Sequence, residues 1–328
     1  MSLENYSEIY SPVYHELVEI TKKHEKAHWV ESEVKLQQDV EQWKSGKITE
    51  EEKSLVMNIL RLFTQSDVNV GVGYYDKLIP YLKNNEVRNM WGSFAAREGT
   101  HQRAYALLND TLGFGEDFYD EFLGYKAMKE KHEFMIEDIG KSKSDFATYL
   151  AKQTLVEGVS LFASFAELLN FDRMGKLSGM CDVVKWSQID ESIHIEGNTA
   201  VFRQYLLEHP RIVTDEFKKS IYDCARDTVA LEDNFIDLCF ELGGVNNDLT
   251  ADQLKGYVRY VTDYRLTQLG MKPNWGIMEN PIPWIDYLMG TTFGNFFERE
   301  IVEYSKSNIT GDYSEGYPSK NVMSLLKM

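Results

Sequence analysis

Apolar residues recur at steps of three and four along most of the chain, the period of helices that bury one face. Leu55, Ile59, Leu62 and Phe63 form the clearest run. Thr49-Glu50-Glu51-Glu52 opens it, with a capping residue and three acids where a helix N-terminus favours negative charge. Pro80 marks its end or a kink. Ahead of it the pattern predicts a helix over 12–27, entered through Ser11-Pro12, and a shorter helical stretch over 31–43. After it, a helix starts at Asn84 or Asn85 and stops at Leu112-Gly113-Phe114-Gly115. Further helices are expected over 116–139, ended by Gly140, and from a Ser144-Asp145 cap to about Asn170. Three more are expected over 176–207, 215–242 and 250–269. Pro273 to Pro283 reads as an irregular loop, and Trp284 to Tyr304 as short helix and turn. Long helices joined by short turns, with no convincing strand, predict an all-α bundle. The expected organisation is one helical domain over 1–304 and a flexible tail over 305–328, where Ser, Asn, Gly and Lys predominate.

Composition narrows the partners. The 328 residues carry a formal net charge of −17, with 43% hydrophobic residues to build a core. So acidic a chain repels phosphates, which argues against nucleic acid as the main partner and against an anionic membrane surface. Cys181, Cys224 and Cys239 include no Cys-x-x-Cys, and their odd number argues against a disulfide framework or a zinc ribbon. The N-terminus lacks the basic-then-apolar order of a signal peptide. No uninterrupted apolar run spans a bilayer; Glu167 breaks even Leu161 to Leu169. These features predict a cytoplasmic protein with thiols in a reducing compartment.

The candidate chemistry is a repeated ligand pattern. Glu98 and His101 are three apart, as are Glu191 and His194. Residues at that spacing leave one helical face about a turn apart. A carboxylate precedes each pair at a similar distance: Asp67 lies 31 residues before Glu98, and Glu157 lies 34 before Glu191. Four carboxylates in one core are costly, because each unpaired buried ion costs several kcal/mol. Two divalent cations would cancel the charges and leave both histidines neutral. Carboxylate with imidazole suits iron or manganese. The pattern resembles the ligand set of ferritin-like dimetal bundles. A single Glu-x-x-His is weak by comparison. Glu25 and His28 also match, among Lys22, Lys23 and Lys26, without a partner carboxylate at the right offset, and read as a solvated face. Tyr105, one turn beyond His101, is either a core tyrosine or a group beside the metals.

Beyond the ligands, the chain carries Glu157-Gly158 with Phe162 and Phe165, Asp190-Glu191-x-x-His194, Asn280-Pro281-Ile282-Pro283-Trp284, and Asn295-Phe296-Phe297-Glu298-Arg299 with Glu303-Tyr304. With these motifs it resembles the small, radical-generating subunit of class I ribonucleotide reductase, from about Trp29 to Tyr304. The resemblance implies that Asp67, Glu98 and His101 hold one metal, and Glu157, Glu191 and His194 the other. It implies a di-iron centre by default, with dimanganese or mixed manganese–iron as alternatives. Tyr105 matches the tyrosine oxidised to a stable radical. Trp29, Asp190 and His101 resemble the start of a radical path, and Tyr304 the tail tyrosine that passes the radical onward. The implied partners are the large catalytic subunit, docked by the C-terminal residues, and a second copy of the chain.

Some positions depart from the family pattern. Ile189 stands before Asp190 where the family more often has arginine. The Trp29-to-Asp67 spacing is about two residues longer than expected, which makes Trp43 a rival to Trp29. The tail ends Ser324-Leu325-Leu326-Lys327-Met328, without an acidic, phenylalanine-terminated end. Phe94, Leu161 and Phe165 are candidates for a dry wall around the site and serve equally as core. Two other functions fit the scaffold: a stand-alone dimetal oxidase or oxygenase, and an iron-storage protein. Tyr304, the tail and the Trp29–Asp190 pair argue against the first. The long C-terminal region argues against the second.

Overall fold

A computed structural model of the chain describes residues 2–115, 117–243 and 248–290. Tyr304, the 295–304 motifs and the tail lie outside them. The helices run in the order α1 (His15–Lys26), α2 (Gln37–Lys44), α3 (Glu50–Val72), α4 (Ile79–Tyr81), α5 (Asn85–Leu112), α6 (Asp117–Asp120), α7 (Lys126–Ile136), α8 (Lys143–Val159), α9 (Phe162–Arg173), α10 (Ser178–Glu208), α11 (Asp215–Glu241) and α12 (Ala251–Gln268). The described residues contain no strand. The centre is a four-helix core in which α3 packs on α5, α8 packs on α10, and α5 meets α10. Helix α1 lies across α5 and α10, and α11 and α12 cover α8. The fold is the expected all-helical bundle.

Local signals set several boundaries. Thr49 and Glu52 form a reciprocal cap on α3, and Thr250 and Gln253 do so on α12. Asn84 accepts from the Val87 N–H at the start of α5.

Elsewhere long-range contacts move the boundaries. Helix α1 begins at His15 without a side-chain cap, and Glu86 of α5 accepts from the Val13 N–H at 2.6 Å just ahead of it. The stretch expected over 31–43 is a 3-10 turn, Glu31–Glu33, followed by α2. The expected 116–139 helix divides into α6, a 3-10 turn (Glu121–Gly124) and α7. Arg61 of α3 takes the Phe118 carbonyl and pairs with Glu121 there, so those groups bond outside a helical ladder. Ser142, rather than Ser144, caps α8, with Asp145 as its reciprocal partner.

The helix expected to run on to Asn170 breaks at Ser160-Leu161 into α8 and α9. Two buried cations hold the break open. Lys131 donates to the Ser160 carbonyl at 2.9 Å, and Arg265 to the Gly158 carbonyl at 3.1 Å. Taken together, 143–173 is long and apolar enough to cross a membrane, which the count of uninterrupted apolar residues overlooked. Its apolar window is wholly buried in the bundle, so its hydrophobicity serves the core.

The helical path of α3 continues past Val72 through Pro80. It widens into a π-helical segment, Gly73–Leu78, and then continues as α4. A proline ring cannot continue a regular ladder, and the wider turn precedes it. Helix α10 is closely approached at Gly197, where a Cβ would lie 2.8 Å from the Phe94 ring and 2.9 Å from the Met90 sulfur.

Candidate metal centre

Asp67 on α3, Glu98 and His101 on α5, Glu157 on α8, and Glu191 and His194 on α10 converge inside the bundle, all buried. Their side-chain atoms form two overlapping groups, Asp67–Glu98–His101 and Glu98–Glu157–Glu191–His194, each with ligand atoms within 4.8 Å of one another. Glu98 belongs to both. Its Oε2 lies 3.5 Å from His101 Nδ1 and its Oε1 3.1 Å from His194 Nδ1. Glu191 spans the same two imidazoles, with 3.5 Å on each side. Glu157 Oε2 lies 3.2 Å from His194 Nδ1.

The donor set fits a pair of cations. Asp67 Oδ2, both oxygens of Glu98, Glu191 Oε2, and the Nδ1 atoms of both histidines are buried without a hydrogen-bond partner. Native interiors rarely leave such atoms unsatisfied unless something binds them. Charge points the same way. Burial raises the pKa of Asp67 well above the carboxylate range, with Glu98 and Glu191 adding to the shift. Burial and the Glu98 charge push Glu191 up to about 8. Burial would raise Glu98 too, but contact with His101 and His194 holds it near 2. Protein charges alone therefore leave the cluster holding protons that divalent cations would displace.

The neighbouring polar groups aim the ligands. Tyr74, carried by the π-helical segment, donates to Glu157 at 2.8 Å. Gln153 and Asn198 donate to the same carboxylate. Asn198 also donates to the Tyr74 oxygen and accepts from the Trp91 indole N–H. His101 turns its Nε2 to Asp190 Oδ2 at 3.0 Å, and the Trp29 Nε1–H donates to that oxygen at 2.8 Å. The Trp29 and His101 rings stack with centroids 5.8 Å apart. Trp43, the rival, packs on Phe114 beneath Lys53 instead. Burial would raise the pKa of Asp190, but His101 and Arg97 keep it below the ordinary value. Ile189 is apolar and buried, and the guanidinium facing Asp190 belongs to Arg97, at 3.1 Å.

Tyr105 is buried and donates to Ser187 Oγ at 3.3 Å. Burial raises its pKa well above 10, and Asp67 is the charge that adds most. Its ring meets Phe63 edge-on at 5.3 Å, and Phe63 meets Phe165 at 5.2 Å. Of the expected dry wall, Phe94 lies directly on His194 at 4.4 Å, whereas Phe165 stands one ring away from Tyr105. Leu161 is buried at the α8–α9 break. Glu25 and His28 remain outside the cluster. Sequence reasoning missed Tyr74, Arg97, Ser187, Asn198 and His24. None carries a spacing signal, since each is brought in by packing between helices.

Comparison with known proteins agrees with this geometry. A family model described as "Ribonucleotide reductase, small chain" matches residues 7–281. A probable ribonucleoside-diphosphate reductase small subunit of Invertebrate iridescent virus 3 is 39% identical over 310 residues, 88% of this chain and 82% of that protein. Among solved structures, the ribonucleotide reductase R2 subunit from Clostridium botulinum matches with a TM-score of 0.81 at 18% identity, over 88% of this chain and 94% of that one. The dimanganese(II) NrdF of Streptococcus sanguinis matches at 0.69 and 18%, over 85% and 97%. With a buried two-group carboxylate–imidazole centre and a family match over most of its length, the chain belongs to the small-chain family of ribonucleotide reductase.

Proposed function

We propose that the chain generates a radical on Tyr105 and delivers it to a separate large subunit that reduces ribonucleotides. The observation that carries this reading is the hydrogen-bonded line Trp29–Asp190–His101, in which a single carboxylate oxygen serves both rings. A self-contained oxidase needs no such exit. In this reading Asp67, Glu98 and His101 would hold one metal, and Glu157, Glu191 and His194 the other. A pair of iron or manganese ions held there would supply oxidising power drawn from oxygen, and Tyr105 is the residue beside the site that would be oxidised.

The residues do the rest. The phenol of Tyr105 releases its proton on oxidation, and Ser187 Oγ is its hydrogen-bond partner. Buried rings around it exclude water and reductants. His101 and Arg97 hold the Asp190 carboxyl below its ordinary pKa against the cost of burial, and as a carboxylate it accepts from both Trp29 and His101. Residues 1–304 form the domain, Tyr304 hands the radical on, and 305–328 dock the large subunit. A second copy covers the surface where Val68, Val72, Tyr75 and Leu107 are exposed on α3, its π-helical segment and α5. Cytoplasmic residence fits three free, buried thiols.

The test is electron paramagnetic resonance with metal analysis on one sample. Metal-free protein is loaded with ferrous iron and exposed to oxygen, beside Tyr105→Phe. A g ≈ 2 signal with about two irons per chain, absent in the variant, is expected from side chains that provide two ligand groups. Two bound metals without a radical would move the reading to manganese loading with an added oxidant. No metal binding at all would end it.

A further inference from the structure

Each histidine of the centre points Nδ1 at the carboxylates and turns Nε2 away, but the two meet different partners. His101 Nε2 faces the anion Asp190. His194 Nε2 faces another imidazole, His24 Nε2, at 3.1 Å. Two facing ring nitrogens share one hydrogen, so one donates and the other accepts. His194 Nδ1 lies 3.1 to 3.5 Å from Glu98, Glu157 and Glu191, so its lone pair is needed there for a metal and its proton sits on Nε2. His24 must then accept at Nε2 and carry its own hydrogen on Nδ1. That hydrogen has a partner, because Ser93 Oγ lies 2.7 Å from His24 Nδ1. His24 is buried on α1, and the edge of its contact with Phe94, 4.9 Å between centroids, fixes the ring plane.

We propose that His24 is the positioning residue for His194. It fixes the tautomer and the aim of that imidazole through the relay His194–His24–Ser93. Because it is a neutral acceptor where Asp190 is an anion, the two sides of the centre are electronically unequal. An imidazole whose outer N–H meets a carboxylate is the stronger donor to a metal. His101 is therefore the more basic ligand and His194 the less basic one. The inference rests on the reading of His194 as a ligand.

The experiment is cobalt(II) titration of the metal-free full-length protein, followed by visible absorption and by the paramagnetically shifted, exchangeable imidazole N–H resonances. Wild type should bind two equivalents and show one such N–H for each ligand histidine. His24→Phe keeps a flat ring against Phe94 but cannot accept. It should weaken one equivalent by about 10- to 100-fold, leave the other unchanged, and lose one N–H to solvent exchange. His24→Gln supplies an amide oxygen as acceptor and should restore most of both. Ser93→Ala, which leaves the buried ring in place, should weaken the same equivalent less; it stands in if His24→Phe does not fold. Folded variants that bind both equivalents as wild type does, or weaken both alike, overturn the inference. So does failure of a folded His24→Gln to rescue. His194→Ala separates the two readings: if it leaves both equivalents intact, the ligand reading itself has failed.

Discussion

Asp190 is held by three donors at once: the Trp29 indole, the His101 imidazole and the Arg97 guanidinium. An ionised carboxylate with no solvent exposure survives only with such compensation. Asp190→Asn keeps the shape but leaves Arg97 buried without a counter-charge. Chemical denaturation should show a loss of roughly 3–5 kcal/mol. Metal analysis should show the His101 side weakened by about 10- to 100-fold. A variant as stable as wild type would mean that the Ala27 carbonyl, which Arg97 also reaches at 2.5 Å, suffices alone.

At the scale of elements, the site depends on helices that depart from regularity. The π-helical turn after Val72 carries Tyr74 to Glu157. The break after Val159 is fixed by Lys131 and Arg265, which take carbonyls from the ladder. Helix α10 presents no side chain at Gly197, one turn past His194, and Phe94 fills that space. Gly197→Ala would gain helix propensity in isolation, by roughly 1 kcal/mol. Here the new methyl meets Phe94 and Met90 below contact distance, and Phe94 is the ring that lies on His194. Overpacking should win by about 1–3 kcal/mol. A lowered urea midpoint and perturbed metal absorption are expected, and an unchanged midpoint would show that the Phe94 ring yields freely.

For the whole molecule, metal binding and folding are linked. Ligand atoms drawn from four helices meet only in the folded chain, so metal should stabilise it by about 1.4 kcal/mol for each tenfold excess over the dissociation constant. Calorimetry should show a melting temperature that climbs with added metal, and one that ignores metal would contradict the linkage. A second buried cluster makes stability depend on pH. Lys131 pairs with Glu232 at 2.5 Å, and Glu167 lies within reach of their charges. Burial and the Glu232 charge push Glu167 up to about 8, and burial pushes Glu232 up to about 7. A carboxyl whose pKa is raised by folding favours the folded state fully below its unfolded value. That contribution disappears as pH rises through the folded value. Stability from this cluster should therefore fall between about pH 4.5 and pH 8, by at most about 1.4 kcal/mol per unit for each group. Glu167→Gln should flatten that slope in urea midpoints taken across the range, and an unaltered slope would assign it elsewhere.

Helical period, caps and the twice-repeated carboxylate pattern are local properties, and they made the bundle and the six residues that converge in its core legible from the residues alone. Asp67, Glu98 and Glu191 lie on long helices, where spacing dictates which side chains share a face. Which of Trp29 and Trp43 meets Asp190 is not a local property. The Trp29 indole reaches that carboxylate across 161 residues of chain. The same holds for Arg97 opposite the departure at Ile189, for Ser187 at Tyr105, and for His24 behind His194. Helix breaks followed the same logic, because Lys131, Arg265 and Glu86 compete for backbone groups from other elements. Such contacts leave no periodic mark, since their energy depends on distance in space and on burial. Sequence alone determined which residues can bind metal, and packing decided what holds each of them in place.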